Sequence, residues 1–236
     1  MILQKSPRTR LGLVATAWMA SLAILAGCPG DDPPGNPVTR LFEGQLVYPL
    51  TAEAQPVGIV AADFNGDGLL DVATAQAVGN SVGVLRATED GFAAVVDYPV
   101  GNNPRELAVA DLNGDGVLDL VSVNLESEDL SILLGTGGGA FATAVSLPLG
   151  AGSAPQALAI GDVTGDGAPD LIVANSGYDS VTLLPGAGDG SFALLGDLAV
   201  GTGPRAVILS DINGDGRPDI VTANRNSDDV SVILNI

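Results

Sequence analysis

The chain has 236 residues with no histidine, one cysteine and 28 acidic against nine basic residues, a formal charge of −19. Such an acidic balance excludes nucleic acid and anionic lipid surfaces as partners. Without histidine or a spare cysteine the usual nucleophile–base pairs are missing, so an enzyme is not expected.

Residues 1–27 open with Lys5, Arg8 and Arg10, followed by an apolar run over 11–26 and small residues before Cys28. A basic start and an apolar stretch too short for the ~20 residues of a membrane span predict a secretory signal. The end of this segment, Leu25-Ala26-Gly27-Cys28, resembles the lipobox of bacterial lipoproteins. That resemblance implies cleavage before Cys28 and acylation of its thiol and amine; an ordinary secreted signal is the alternative. Residues 28–40 then form a proline- and glycine-rich tether, extended and semi-stiff. All 28 acids and six of the nine bases follow residue 27, leaving a charge of −22 on the remainder.

Residues 41–236 are built from one unit of about fifty residues, and its landmarks recur in order. A short apolar segment (57–62, 107–110, 157–161, 206–210) precedes an acidic loop, and another follows it (72–75, 120–123, 171–174, 220–223). Both are short, β-branched or small, and bounded by turn formers, which predicts buried strands. The residues just before the loops, Ala62, Ala110, Gly161 and Ser210, are all small, as a crowded central axis would require. A third segment alternates (81–85, 130–134, 181–184, 230–234), and a fourth starts at a phenylalanine (92–100, 141–149, 192–200). Four short strands per unit predict an all-β fold, a β-propeller of four-stranded antiparallel blades in four repeats. Phe42, Phe92, Phe141 and Phe192 are 50, 49 and 51 apart, so residues 42–50 match the fourth strand while the last unit lacks one before Ile236. An N-terminal strand closing the C-terminal blade is therefore expected, which protects both edges. A monomer is favoured over a dimer.

The loop itself reads Asp-x-(Asn/Thr)-Gly-Asp-Gly-x-x-Asp, with first aspartates 48, 51 and 49 residues apart. Oxygen atoms at positions one, three, five and nine, with glycine at four and six, describe a tight wrap around a hard cation, and calcium takes six to eight oxygens. The expected ligands in the first loop are the side chains of Asp63, Asn65, Asp67 and Asp71 with the carbonyl of Leu69. Those of the second are Asp111, Asn113, Asp115 and Asp119 with Val117. In the third they are Asp162, Thr164, Asp166 and Asp170 with Ala168, and in the fourth Asp211, Asn213, Asp215 and Asp219 with Arg217. Up to four Ca2+ are expected, the Thr164 site being the poorest. Magnesium keeps more of its water, and zinc or copper would want nitrogen or sulfur. The alternative is a plain polar turn, since Asp, Asn and Gly also dominate turns. Position twelve is Thr74, Ser122, Val173 or Thr222 rather than glutamate, so the loop is not an EF-hand.

With these loops, the lead-ins Gly101-Asn-Asn-Pro104 and Gly201-Thr-Gly-Pro204, and turns such as Gly190-Ser-Phe192, the chain resembles the FG-GAP or VCBS repeat family. The resemblance implies an integrin-α-type propeller and bound calcium, and says nothing of the ligand. Family members usually have seven blades, and four here leave ring closure open: either a small four-bladed ring closes on itself, or two chains assemble an eight-bladed one.

The face opposite the acidic loops should carry Arg105 and Arg205 from the lead-ins, and Asn124, Asn175, Tyr178, Asn224 and Arg225 from the second turns. Forked arginine hydrogen bonds and a ring of amides suit an acidic or carbohydrate ligand; alternatively the asparagines cap turns and the arginines pair with acids. The expected function is a calcium-stabilised, lipid-anchored, extracytoplasmic binding or adhesion module for a periplasmic or extracellular protein or glycan. It would touch the membrane through its lipid anchor only. A passive scaffold or spacer and a calcium-dependent polysaccharide hydrolase or lyase are the alternatives.

Overall fold

The computed structural model describes residues 46–236. The leader, Cys28, the tether and Phe42 lie outside them. No helix occurs among the described residues, which form four successive antiparallel sheets, here called blades I to IV. Blade I runs Pro56–Ala62, Asp71–Gln76, Ser81–Leu85 and Val96–Pro99, and blade II runs Pro104–Ala110, Asp119–Asn124, Asp129–Leu133 and Val145–Pro148. Blade III runs Pro155–Gly161, Asp170–Asn175, Ser180–Leu184 and Gly196–Ala199; blade IV runs Pro204–Ser210, Asp219–Asn224 and Asp229–Ile233. In every blade the strands pair in sequence order. Each first strand begins at a proline followed by the same register shift, as between Pro56 and Gly58 or Pro204 and Ala206. Proline has no N–H for the ladder, so the bulge lets the strand start there.

The fourth segments differ from the expected run. Phe92 and Phe141 belong to two-residue strands, Gly91–Phe92 and Ala140–Phe141, that fold back on the chain leaving the third strand; the outer strand starts four residues later, at Val96 or Val145. The reason is packing. Phe141 sits edge-on to Phe64 and Tyr98 of blade I, each at 5.4 Å, so it closes the gap between two blades instead of extending a sheet.

The apolar core lies between blades. Ala73, Val82 and Val84 of blade I meet Leu107, Leu120 and Leu133 of blade II. Val121, Val123 and Ile132 of blade II meet Leu158, Leu171 and Leu184 of blade III, and Ala174 and Val181 of blade III meet Val207 and Ile220 of blade IV. Second and third strands are thus covered on both faces in the middle of the array, so even their polar residues, such as Ser122 and Ser131, are buried. The first strands lie side by side and demand small residues: a Cβ on Gly161 would come within 2.8 Å of Leu209.

Blades I and IV do not cover one another. Ile59 is 69% exposed where its counterparts Leu107, Leu158 and Val207 are buried, and Val230 is 63% exposed where Val82, Leu130 and Val181 are at 0%. The expected closing strand is also absent among the described residues: 46–50 belong to no strand, and blade IV has three. Tyr48 instead packs edge-on to Phe92 at 5.1 Å, and Thr51 donates to Asp97 at 2.8 Å, both in blade I. Gly91 makes this possible, because a Cβ there would strike the Tyr48 hydroxyl.

Candidate functional site

Each acidic loop closes on its first aspartate. Asp63 Oδ1 accepts the N–H of Gly66 at 2.7 Å and of Asp67 at 3.2 Å, and Oδ2 accepts that of Gly68 at 2.7 Å. Asp111, Asp162 and Asp211 repeat the pattern. To aim three successive amides at one carboxylate the chain must take positive φ at both glycines, 74° at Gly66 and 86° at Gly68. Asn65 then accepts the Asp67 N–H at 2.9 Å and donates to Asp67 Oδ2 at 2.8 Å; Asn113 and Asn213 do the same. Position seven contributes its N–H to the position-five carboxylate in all four loops, from Leu69, Val117, Ala168 and Arg217.

Position nine behaves differently. Asp71, Asp119, Asp170 and Asp219 are fully buried at the start of the second strand. Asp119 Oδ2 accepts the Leu112 N–H at 2.8 Å and Oδ1 that of Gly135 at 2.7 Å. Asp71 does this with Phe64 and Ala87, Asp170 with Val163 and Gly186, and Asp219 with Ile212 and Asn235. In the third loop Asp170 also takes the Thr164 N–H at 3.0 Å, in the absence of the amide side chain found elsewhere at position three.

The structure therefore divides the twenty expected ligand positions. Side chains at positions one, three and five are tied to the loop's own amides; as a set of oxygen donors with two carboxylates their chemistry suits a hard cation. The ninth carboxylate faces inward onto two amides. Among the described residues no three acidic side chains converge as a metal cluster.

Amide bonding also sets the acidity of these groups. The Gly68 N–H, aided by those of Gly66, Asp67 and Asn65, holds Asp63 below the usual carboxylate range against a smaller effect of burial. Asp215 is lowered first by the Arg217 N–H, then by the Asn213 side chain and the Arg217 charge; the Arg217–Asp215 contact at 2.9 Å is the one ion pair among the described residues. Asp119 is raised, chiefly by burial and further by the charges of Asp115 and Asp111, despite its amide bonds to Gly135 and Leu112.

On the opposite face the lead-ins and second turns interlock, for example through the Asn103 N–H to Asn80 Oδ1 at 2.9 Å and the Leu125 N–H to Asn103 O at 3.0 Å. Arg105, Arg205, Tyr178 and Arg225 are exposed there. Arg205 donates to Gln156 at 2.6 Å and shares a shallow depression with Arg225, Asn224, Asp228 and Asp229. The three asparagines do not face solvent. Asn124 donates to Asp129 and to Ser131, both at 2.9 Å, Asn224 repeats this with Asp229 and Ser231, and Asn175 bonds Thr182. The expected ring of amides is an internal brace; the lead-in glycine makes room for it, since a Cβ on Gly101 would lie 2.6 Å from Asn124 Nδ2.

One residue escaped the sequence reading. Glu106, in the first strand of blade II, accepts the Leu158 N–H of blade III at 3.2 Å, and burial pushes its carboxyl above the usual range. Its signal was an acid in the slot that holds Gly58, Ala157 and Ala206 in the other repeats.

Four repeated antiparallel sheets, each bearing an aspartate-rich loop between its first two strands, define an all-β repeat protein of the propeller type. The chain belongs to the FG-GAP-like repeat family, whose profile matches residues 63–122, 111–173 and 162–222. No curated protein matches the sequence. Among solved structures it is similar to a streptogramin B lyase (18% identity, 79% of this chain and 57% of that one, TM-score 0.53). It is also similar to a putative 6-phosphogluconolactonase from Bacteroides uniformis (17%, 81% and 54%, TM-score 0.57) and to BBS1N in its complex with ARL6DN (14%, 74% and 55%, TM-score 0.52). At these identities the likeness is one of fold, and the chain spans a little over half the length of the structures it matches.

Two outcomes follow. Asp119→Asn turns one acceptor into a donor facing a buried N–H, so urea unfolding should show a loss of about 2–4 kcal/mol, the same in EDTA as in calcium; a loss confined to calcium would make Asp119 a ligand and not a brace. For Glu106 the folded pKa lies above the unfolded one, so its contribution is complete below the unfolded value of about 4.3 and is lost as pH rises through the folded value. Glu106→Gln should therefore raise the urea midpoint near neutral pH and leave it unchanged in acid.

Proposed function

We propose that this chain is a calcium-stabilised, lipid-anchored, extracytoplasmic binding module for a protein or glycan, without catalytic activity of its own. The fold and family suggest a binding or scaffold module, and the finer reading rests on the arginines. Arg205 and Arg225 stand together in one exposed depression, and neither they nor Arg105 forms an ion pair among the described residues. In a chain of net charge −19, cations left available on one face favour an acidic or polyhydroxylated ligand through forked hydrogen bonds. The scaffold reading is favoured by a different observation, the inward turn of Asn124, Asn175 and Asn224.

Calcium is proposed for the first, third and fifth loop positions, on the chemistry of the donor set. Its effect would be to neutralise carboxylates crowded on one side of each loop, and loss of the metal would leave them repelling one another.

Two measurements test this reading. Thermal melts in EDTA and in millimolar calcium should differ markedly, since a site of about 0.1 mM affinity contributes roughly 1.4 kcal/mol under those conditions; coincident melts would remove calcium from the proposal. Glycan arrays and pull-downs with calcium should yield a ligand whose binding falls at least tenfold in Arg205→Ala/Arg225→Ala with the melt unchanged, whereas an empty screen would leave the scaffold reading in place.

A further inference from the structure

Every junction between neighbouring blades is made from the same two surfaces. The second and third strands of one blade, through residues such as Val121, Leu130 and Ile132, receive the first and second strands of the next, through Leu158 and Leu171. The I/II and III/IV junctions repeat this arrangement. Among the described residues one copy of each surface remains uncovered: Ile208, Val230 and Val232 on blade IV, and Val57 and Ile59 beside Tyr48 on blade I. Ile59, Ile208, Val230 and Val232 occupy slots that are shielded at the inner junctions, whereas the slot of Val57 holds the exposed Arg105 and Arg205 in blades II and IV. The groove on blade I and the one formed by Ile208 and Val230 on blade IV contain no charged side chain, although Val230 also borders the depression of Arg205, Arg225, Asp228 and Asp229. Exposed apolar surfaces of this kind mark sites of association.

The occupant is specified by the repeat itself, because what fits blade IV is a surface like that of blade I. The two surfaces are separated within one copy, since both are exposed. Aligned over about four-fifths of its length, the chain fills only 54–57% of the streptogramin B lyase and lactonase chains, so its blades follow the curvature of a fold nearly twice as long. We infer that two copies of this chain associate head to tail, blade IV of each docking on blade I of the other, to complete an array of eight blades. A head-to-tail contact closes when the rotation it imposes brings the second junction into register; since each copy fills 54–57% of those chains, two copies must each open slightly to share one ring. Residues 47–50, held on blade I by the Tyr48–Phe92 contact, fall within the junction, beside the third strand of blade IV in the second copy. That strand has no outer neighbour among the described residues. This inference is independent of calcium; its surface adjoins the Arg205 and Arg225 depression at Val230.

Light scattering of the full chain in detergent, with the detergent mass subtracted, should give twice the mass of one chain. Ile59→Asp and Val230→Asp each alter a side chain that is exposed within a single copy, so both should halve that mass without changing the circular dichroism spectrum. A one-chain mass for the unaltered protein, a two-chain mass retained by both variants, or a mass that keeps growing with concentration would overturn the proposal; two variants on different blades guard against one failing to fold.

Discussion

The structure depends on a buried carboxylate that bonds two distant amides. In each repeat the ninth loop residue lies at the root of the second strand, accepts an N–H from the second loop position, and accepts another from a residue sixteen positions further on. A buried charge is tolerated only when its oxygens are fully satisfied, and charge-assisted bonds of this length are among the stronger ones available. The carboxylate thereby fixes the mouth of the acidic loop and the point where the chain leaves the third strand. Loop shape and sheet register are consequences of one side chain.

This division of labour explains which parts of the fold could be read from the sequence. The first three strands of each unit were clear because their boundaries coincide with turn formers and their residues repeat in phase. The phenylalanines were harder: their constant spacing suggested the start of a strand, yet Phe141 is used across a junction, against Phe64 and Tyr98. Spacing reveals that a residue has a repeated role, but not whether that role lies within a sheet or between two. The same limit applies to Asn124 and Asn224. Their place in a turn suggested exposure, and only the register with Asp129 and Asp229 turns them inward. For the loops, the sequence marks the acidic positions but not that the ninth is buried and bonded to two backbone amides.

The two faces of the array hold their turns in different ways. Acidic residues are placed where backbone amides converge, so the loop side concentrates negative charge that the backbone itself partly compensates. On the other side the turns are closed by amides, hydroxyls and a carboxylate bonded to one another, as in the Asn124, Asp129 and Ser131 cluster. Long cationic side chains are left at the rim.

Placing the core between blades also sets how the domain comes apart. No single sheet has an apolar interior of its own, so each is stable only through its neighbours, and cooperativity passes along the array one junction at a time. Blades II and III are flanked on both sides, and their backbone amides should be the slowest to exchange with solvent. In one isolated copy, opening begins at blades I and IV and moves inward, so the protein loses order from its ends like a short linear polymer.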